Sequence, residues 1–133
     1  MLYNILTPVL RKYIEPIVTK LCNWLTLSNH IDVQTFPSYL ISYPPTNTYL
    51  NYEAINNNKG KFGRQIHLYD YEVLNPVDLS KLFLQTHMTN YTAFDETCDT
   101  SALLGIIINI DKFPVRVRTD AEDVSSIVDT YLL

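Results

Sequence analysis

The run Leu103-Leu104-Gly105-Ile106-Ile107-Ile108-Asn109-Ile110 constrains this chain more than any other stretch. It is apolar at nearly every position, rich in β-branched isoleucine, of strand length, and bounded by turn formers. A strand apolar on both faces sits centrally in a sheet, with other elements covering it. A tight turn over Asp111 to Pro114 and a short strand, Val115-Arg116-Val117-Arg118, are expected next. Alternation puts Val115 and Val117 inward and Arg116 and Arg118 outward.

The remaining segments read as pieces that pack on that strand. From about Leu2 to Leu27, Leu6, Leu10, Tyr13, Ile14, Ile17, Leu21, Trp24 and Leu25 recur at helical spacing and predict an amphipathic helix. Pro8 suits a first helical turn, whereas Pro16 removes a hydrogen bond and predicts a kink. A strand is expected over Phe36 to Tyr43, stopped by Pro44-Pro45. A hairpin follows, with arms over Thr48 to Ile55 and Phe62 to Val73 and the turn formers Asn56 to Lys61 between them. Asn75-Pro76 reads as the cap and first position of a helix running to about His87. Met88 to Ser101 reads as a long polar loop, of the kind that carries function or an interface. Thr119 and Glu122 fit a capping box for a terminal helix with Val124, Ile127, Val128, Tyr131 and Leu132 on its stripe. The expected fold is α+β, one domain over residues 1–133. A mixed or antiparallel sheet of about four to five strands packs with N-terminal, middle and C-terminal helices.

Composition narrows the function classes. The chain is 47% hydrophobic and 18% charged, below the charged share of about a quarter in ordinary domains, which excludes disorder. A net charge of −4 argues against a nucleic-acid binder, which needs a basic excess. Ten tyrosines give the chain a surface suited to protein contact, although AT-rich codon usage favours the same residues. Cys22 and Cys98 lack the spacing of a metal site and read as reduced thiols. No apolar run is long enough to span a membrane. Arg11 and Lys12 follow the first apolar run, the reverse of a signal peptide, so synthesis in the cytosol is expected.

The search for chemistry returns no motif. His30, His67 and His87 are scattered without metal-pair spacing. Asp95, Glu96 and Asp99 lack the alternating carboxylates and central glycine of a calcium loop, and read as a solvated or partner-facing rim. Three glycines leave no room for a phosphate cradle beyond Lys59, Gly60, Lys61, Gly63 and Arg64, which read as a hairpin tip. No serine or cysteine sits in a nucleophile-elbow context. No enzyme, metal or cofactor is therefore expected.

The order of elements, an amphipathic helix, the strand Pro37-Ser38-Tyr39-Leu40-Ile41-Ser42-Tyr43, a long-looped hairpin, a helix, a strong strand and a closing helix, resembles tailed-phage neck and tail-completion subunits, the tail-terminator family most nearly. That resemblance implies a virion subunit that forms a ring at the head–tail junction or tail end, binding its own copies and other structural proteins. Loops Asn56 to Lys61 and Met88 to Ser101 are then candidates for inter-subunit contact. The expected interface residues are Tyr43, Tyr49, Tyr52, Asn57, Lys59, Lys61, Arg64, Tyr69, Tyr71, Tyr91, Asp95, Glu96, Asp99, Arg116 and Arg118. The rival expectation is a small monomeric regulator that binds one host protein through the same tyrosine-rich face.

Overall fold

A computed structural model describes residues 2–43, 47–61 and 63–131, with side chains described for all of these except 2–5, 63–64 and 128–131. Pro44-Pro45, Phe62, the Arg64 side chain and the stripe positions Val128, Tyr131 and Leu132 therefore lie outside what is described. The described elements are α1 (Leu2–Asn29), β1 (Ser42–Tyr43), β2 (Thr48–Tyr49), α2 (Pro76–Lys81), α3 (Thr100–Asn109) and α4 (Val115–Tyr131), with short 3₁₀ turns between them.

The first helix forms where the periodicity places it. Ile14, Val18, Leu21, Cys22 and Leu25 are buried along one stripe, which packs on α2 and α3. Both Pro8 and Pro16 lie inside α1, so Pro8 is not in a first turn. Both are exposed, which leaves the carbonyls that they deprive of a donor on the side where water reaches them. The helix ends at Asn29 because His30 takes the left-handed conformation, φ 53°, while its N–H still bonds the Thr26 carbonyl at 3.2 Å.

The sheet is where expectation and structure part. Among the described residues there is one two-stranded antiparallel pair, Ser42 opposite Tyr49 and Tyr43 opposite Thr48. The four-to-five-strand α+β sheet is replaced by a mainly helical fold. The run 103–110 is the helix α3, not a central strand: Asp99 caps it, its carboxylate accepting from the Ala102 N–H at 2.9 Å. Leu103, Leu104, Ile106 and Ile107 are all buried because α1 and α4 enclose it. An apolar run of this length fits a buried helix as well as a buried strand, and the cap decides.

The expected strand 115–118 is the first turn of α4. Val115 is exposed there, and Arg118 turns back to bond the Ile108 carbonyl near the end of α3. The helix thus begins ahead of Thr119, whose hydroxyl bonds the Val115 carbonyl within the helix rather than capping it.

The expected strand 36–43 contracts to Ser42–Tyr43, and the two hairpin arms are 3₁₀ turns and irregular backbone apart from Thr48–Tyr49. Side chains do the joining that a sheet ladder would have done. Gln34, 5% exposed, bonds the Tyr71 carbonyl, the Tyr52 hydroxyl and the Leu40 N–H. Asn58, fully buried, bonds the Tyr52 carbonyl and both backbone groups of Asp70.

The middle helix starts at the Asn75 cap as expected, but stops at Lys81 rather than continuing to His87. The next three carbonyls are taken by asparagines. The Asn51 N–H bonds Leu82 and its carboxamide bonds Leu84, while the Asn109 carboxamide bonds Phe83. These donors compete with the N–H groups that would continue the helix.

Candidate interaction surface

The irregular segment 36–71 gathers its aromatic side chains into one cluster. Tyr39 stacks on Tyr71 with centroids 4.1 Å apart, and Tyr52 meets Tyr39 and Tyr71 edge-on at 5.3 and 4.9 Å. Phe36 and Tyr69 close the cluster at 6.3 and 6.0 Å from Tyr71. The phenol tips satisfy backbone that no sheet covers. Tyr52 donates to the Leu40 carbonyl at 2.7 Å, Tyr69 to Lys61 at 2.8 Å and Tyr71 to Ile66 at 2.6 Å. Buried carbonyls need such partners, and tyrosine supplies one together with a large apolar ring. Burial pushes the Tyr52 and Tyr71 phenols up to about 12.

Over this cluster lies a shallow hollow of about 240 Å³, walled by Tyr39, Ile41, Tyr49, Ile66, Tyr69 and Tyr71. Asn51 and Glu53 complete the lining, and the hollow is open at its edge: Tyr49 is 80% exposed, Ile41 55%, and Ile66 is also exposed. Phe36, exposed as well, packs beside it on Tyr39 and Tyr71.

The sequence-nominated residues divide between this face, the core and other surfaces. Tyr49, Tyr52, Tyr69 and Tyr71 come together at the hollow, with Lys61 beside them through its bond to the Leu68 carbonyl. Tyr43 points the other way, into the core, where its hydroxyl donates to Asp111 at 2.6 Å and its ring meets Phe83 edge-on. Tyr91 is also buried, sharing a hydrogen bond with Ser80 at 2.7 Å under the Lys81 ammonium. Asn57 is exposed in its turn. Lys59 reaches from that turn to the Thr89 carbonyl and the Asn90 carboxamide, so the two nominated loops are tied to each other. Arg116 and Arg118 lie on α4, far in sequence from the aromatic face.

The acidic loop meets α1 instead. Arg11 donates to the Cys98 carbonyl through both Nε and Nη2, and Thr7 and Thr100 share a buried hydroxyl contact of 2.6 Å. Asp99 caps α3, and Asp95 accepts from the N–H and hydroxyl of Thr97, which hold its carboxyl below the usual carboxylate range. Thr7, Arg11, Glu96, Asp99, Thr100 and Ser101 line a polar cleft of about 460 Å³. Most of its polar groups are engaged in holding the loop to the helix. Among the described residues, no three of His, Cys, Asp and Glu gather as a metal site would require. No described helix is long and apolar enough to cross a membrane.

Sequence reasoning passed over Phe36, Tyr39, Ile41 and Ile66 as parts of strands, and Trp24 as a core residue of α1. Trp24 is half exposed. It sits at the edge of the apolar stripe, where helical spacing alone does not separate core from surface.

No protein-family model matches this sequence, and no curated protein or solved structure resembles it closely enough to count as a match.

Proposed function

We propose that this chain is a non-enzymatic structural or assembly protein that self-associates, and docks on other structural proteins, through the aromatic face of residues 36–71. The supporting observation is the exposure of Phe36, Ile41, Tyr49 and Ile66 around a hollow walled by Tyr39, Tyr69 and Tyr71. Several large apolar side chains exposed together on a small chain suit a place of association. Tyr69 and Tyr71 have their hydroxyls bonded to backbone, so their rings are fixed before any partner arrives and little side-chain freedom is lost on contact.

A virion ring, at a head–tail junction or tail end, is the setting that the tail-terminator resemblance implied. That resemblance ran through strands at 36–43, 48–55, 62–73 and 103–110, most of which are turns or helix. Support for self-association therefore comes from the aromatic face alone.

One observation favours the second reading, a monomer that binds one other protein through the same face. Among the described residues every buried side-chain nitrogen and oxygen has a partner, so no buried polar group waits on a second copy. Light scattering over a concentration series separates the two. Self-association predicts a discrete multimer, or mass rising with concentration, that Tyr49→Glu with Ile66→Asp returns to the 15.4 kDa monomer without changing the circular dichroism. A native chain that stays at 15.4 kDa throughout overturns self-association and leaves the monomeric binder.

A further inference from the structure

A second surface lies on α1 and the turn between α3 and α4. Ile17, Lys20, Leu21 and Trp24 share one side of α1 at helical spacing, and Lys112 joins them from that turn to line a groove of about 460 Å³. Lys112 holds its ammonium 5.4 Å from the centre of the Trp24 ring, within cation–π range. The ring is nevertheless 50% exposed, the only tryptophan in the chain. Leu21 forms the buried base, and Lys20 and Lys112 are both exposed at the edges.

The charge here runs against the whole molecule. The chain carries a net −4, yet the groove is lined by two lysines and no acid. Asp111, next to Lys112 in sequence, is turned to the Tyr43 hydroxyl. An apolar base and an indole wall between two cations call for an apolar group flanked by anions. The groove is about half open to solvent, whereas the pocket of a free small ligand encloses most of it. A half-exposed tryptophan beside a small apolar hollow is also the residue type that most often anchors a protein contact.

We infer that this groove docks an acidic segment of a partner protein, whose large apolar side chain enters against Leu21 and Trp24 while its carboxylates meet Lys20 and Lys112. It shares with the aromatic-face reading only the premise that the chain binds proteins, and a different readout tests it. Trp24 fluorescence reports this groove directly, because no other tryptophan contributes.

The native chain is titrated with a short peptide in which two leucines are flanked by glutamates, with its glutamine counterpart, with octanoate and with oligothymidylate. Docking predicts a saturable blue shift of Trp24 emission with the glutamate peptide, weakened by salt. The combined Lys20→Glu and Lys112→Glu variant lowers that affinity about ten-fold or more. Both substitutions are on exposed side chains, and unchanged circular dichroism verifies the fold. Equal binding of the glutamine peptide, no shift with the glutamate peptide, or tighter binding of octanoate or oligothymidylate each overturns the proposal. So does a blue shift that grows with protein concentration alone, which would put a second copy in the groove.

Discussion

The carboxamide of Asn58 pairs with both backbone groups of Asp70: Nδ2 donates to the carbonyl at 2.7 Å and Oδ1 accepts from the N–H at 2.8 Å. Nδ2 also donates to the Tyr52 carbonyl at 2.8 Å. One side chain therefore gives residue 70 what a neighbouring strand would give it. This is how segments 52–58 and 69–73 lie together without a sheet.

Asn58→Asp tests that arrangement. The substitution removes both donors, turns an anion toward two carbonyls, and keeps the shape. Leaving buried carbonyls unsatisfied costs about 1–3 kcal/mol each, so a loss of about 3 kcal/mol or more is expected in urea unfolding near neutral pH. Burial would raise the pKa of the new carboxyl in the folded chain above its unfolded value of about 4. The ionisation part of the penalty is then absent below about 4, grows as pH rises from there to the folded pKa, and is constant above it. Stability relative to the native chain at the same pH should partly recover toward pH 4. A loss below about 1 kcal/mol, independent of pH, would mean that water replaces the carboxamide.

The two thiols give a second prediction. Cys22 and Cys98 are buried, and burial raises both thiols, Cys98 to about 12 with Asp99 adding to the effect. Only the thiolate reacts with disulfide reagents. Ellman's reagent near pH 8 should therefore leave the folded chain untouched and release two equivalents on unfolding in urea. Rapid reaction of either thiol in the folded state would show that its cover opens far more readily than the packing indicates.

What the sequence disclosed follows the range of the forces involved. The α1 stripe and the Asn75 cap depend on neighbours within a turn, and both were legible. By sequence Asp99 reads only as part of the acidic loop rim, because the β-branched run after it reads as a strand. In the fold Asp99 caps that run, and α1 and α4 enclose it as a helix. Tyrosine-rich segments resembled strands because tyrosine suits a pleated surface. Here the rings build a cluster, and the hydroxyls serve carbonyls chosen by the folded geometry. Of the tyrosines grouped by sequence, Tyr49, Tyr52, Tyr69 and Tyr71 line one hollow and Tyr43 turns into the core; their partners, and the meeting of Trp24 with Lys112 from the far end of the chain, were beyond local pattern.

The same phenols predict the alkaline limit of the fold. Burial raises Tyr52 and Tyr71 to about 12, and raises Tyr43, where Asp111 adds to the effect, and Tyr91. An acid whose pKa is higher folded than unfolded stabilises the fold fully below the unfolded value, about 10 for tyrosine, and that contribution is lost as pH rises toward the folded value. Tyrosinate absorbance should therefore show a fraction of the ten tyrosines ionising only above about pH 10, in one step with loss of helical circular dichroism. Smooth titration of all ten with the fold intact would contradict the burial of the cluster.

Gly105 decides how closely α3 approaches the turn after α2. A Cβ built there would lie 2.7 Å from Cδ2 of Leu84, a side chain only 4% exposed, and 3.6 Å from Met88. Glycine inside a helix costs about 1 kcal/mol relative to alanine, so helix propensity alone makes Gly105→Ala stabilising. Overpacking costs about 1–3 kcal/mol, and Leu84 is almost fully buried, although it and Gly105 both border a hollow of about 450 Å³. The packing cost should win, with Gly105→Ala losing about 1 kcal/mol and Gly105→Val distinctly more, read from urea midpoints at constant slope. Leu84→Ala supplies the control. By removing Cδ2 it should abolish the penalty, so that in that background Gly105→Ala becomes neutral or stabilising. If alanine already stabilises the native chain, Leu84 swings aside and the glycine is not required by the packing of α3.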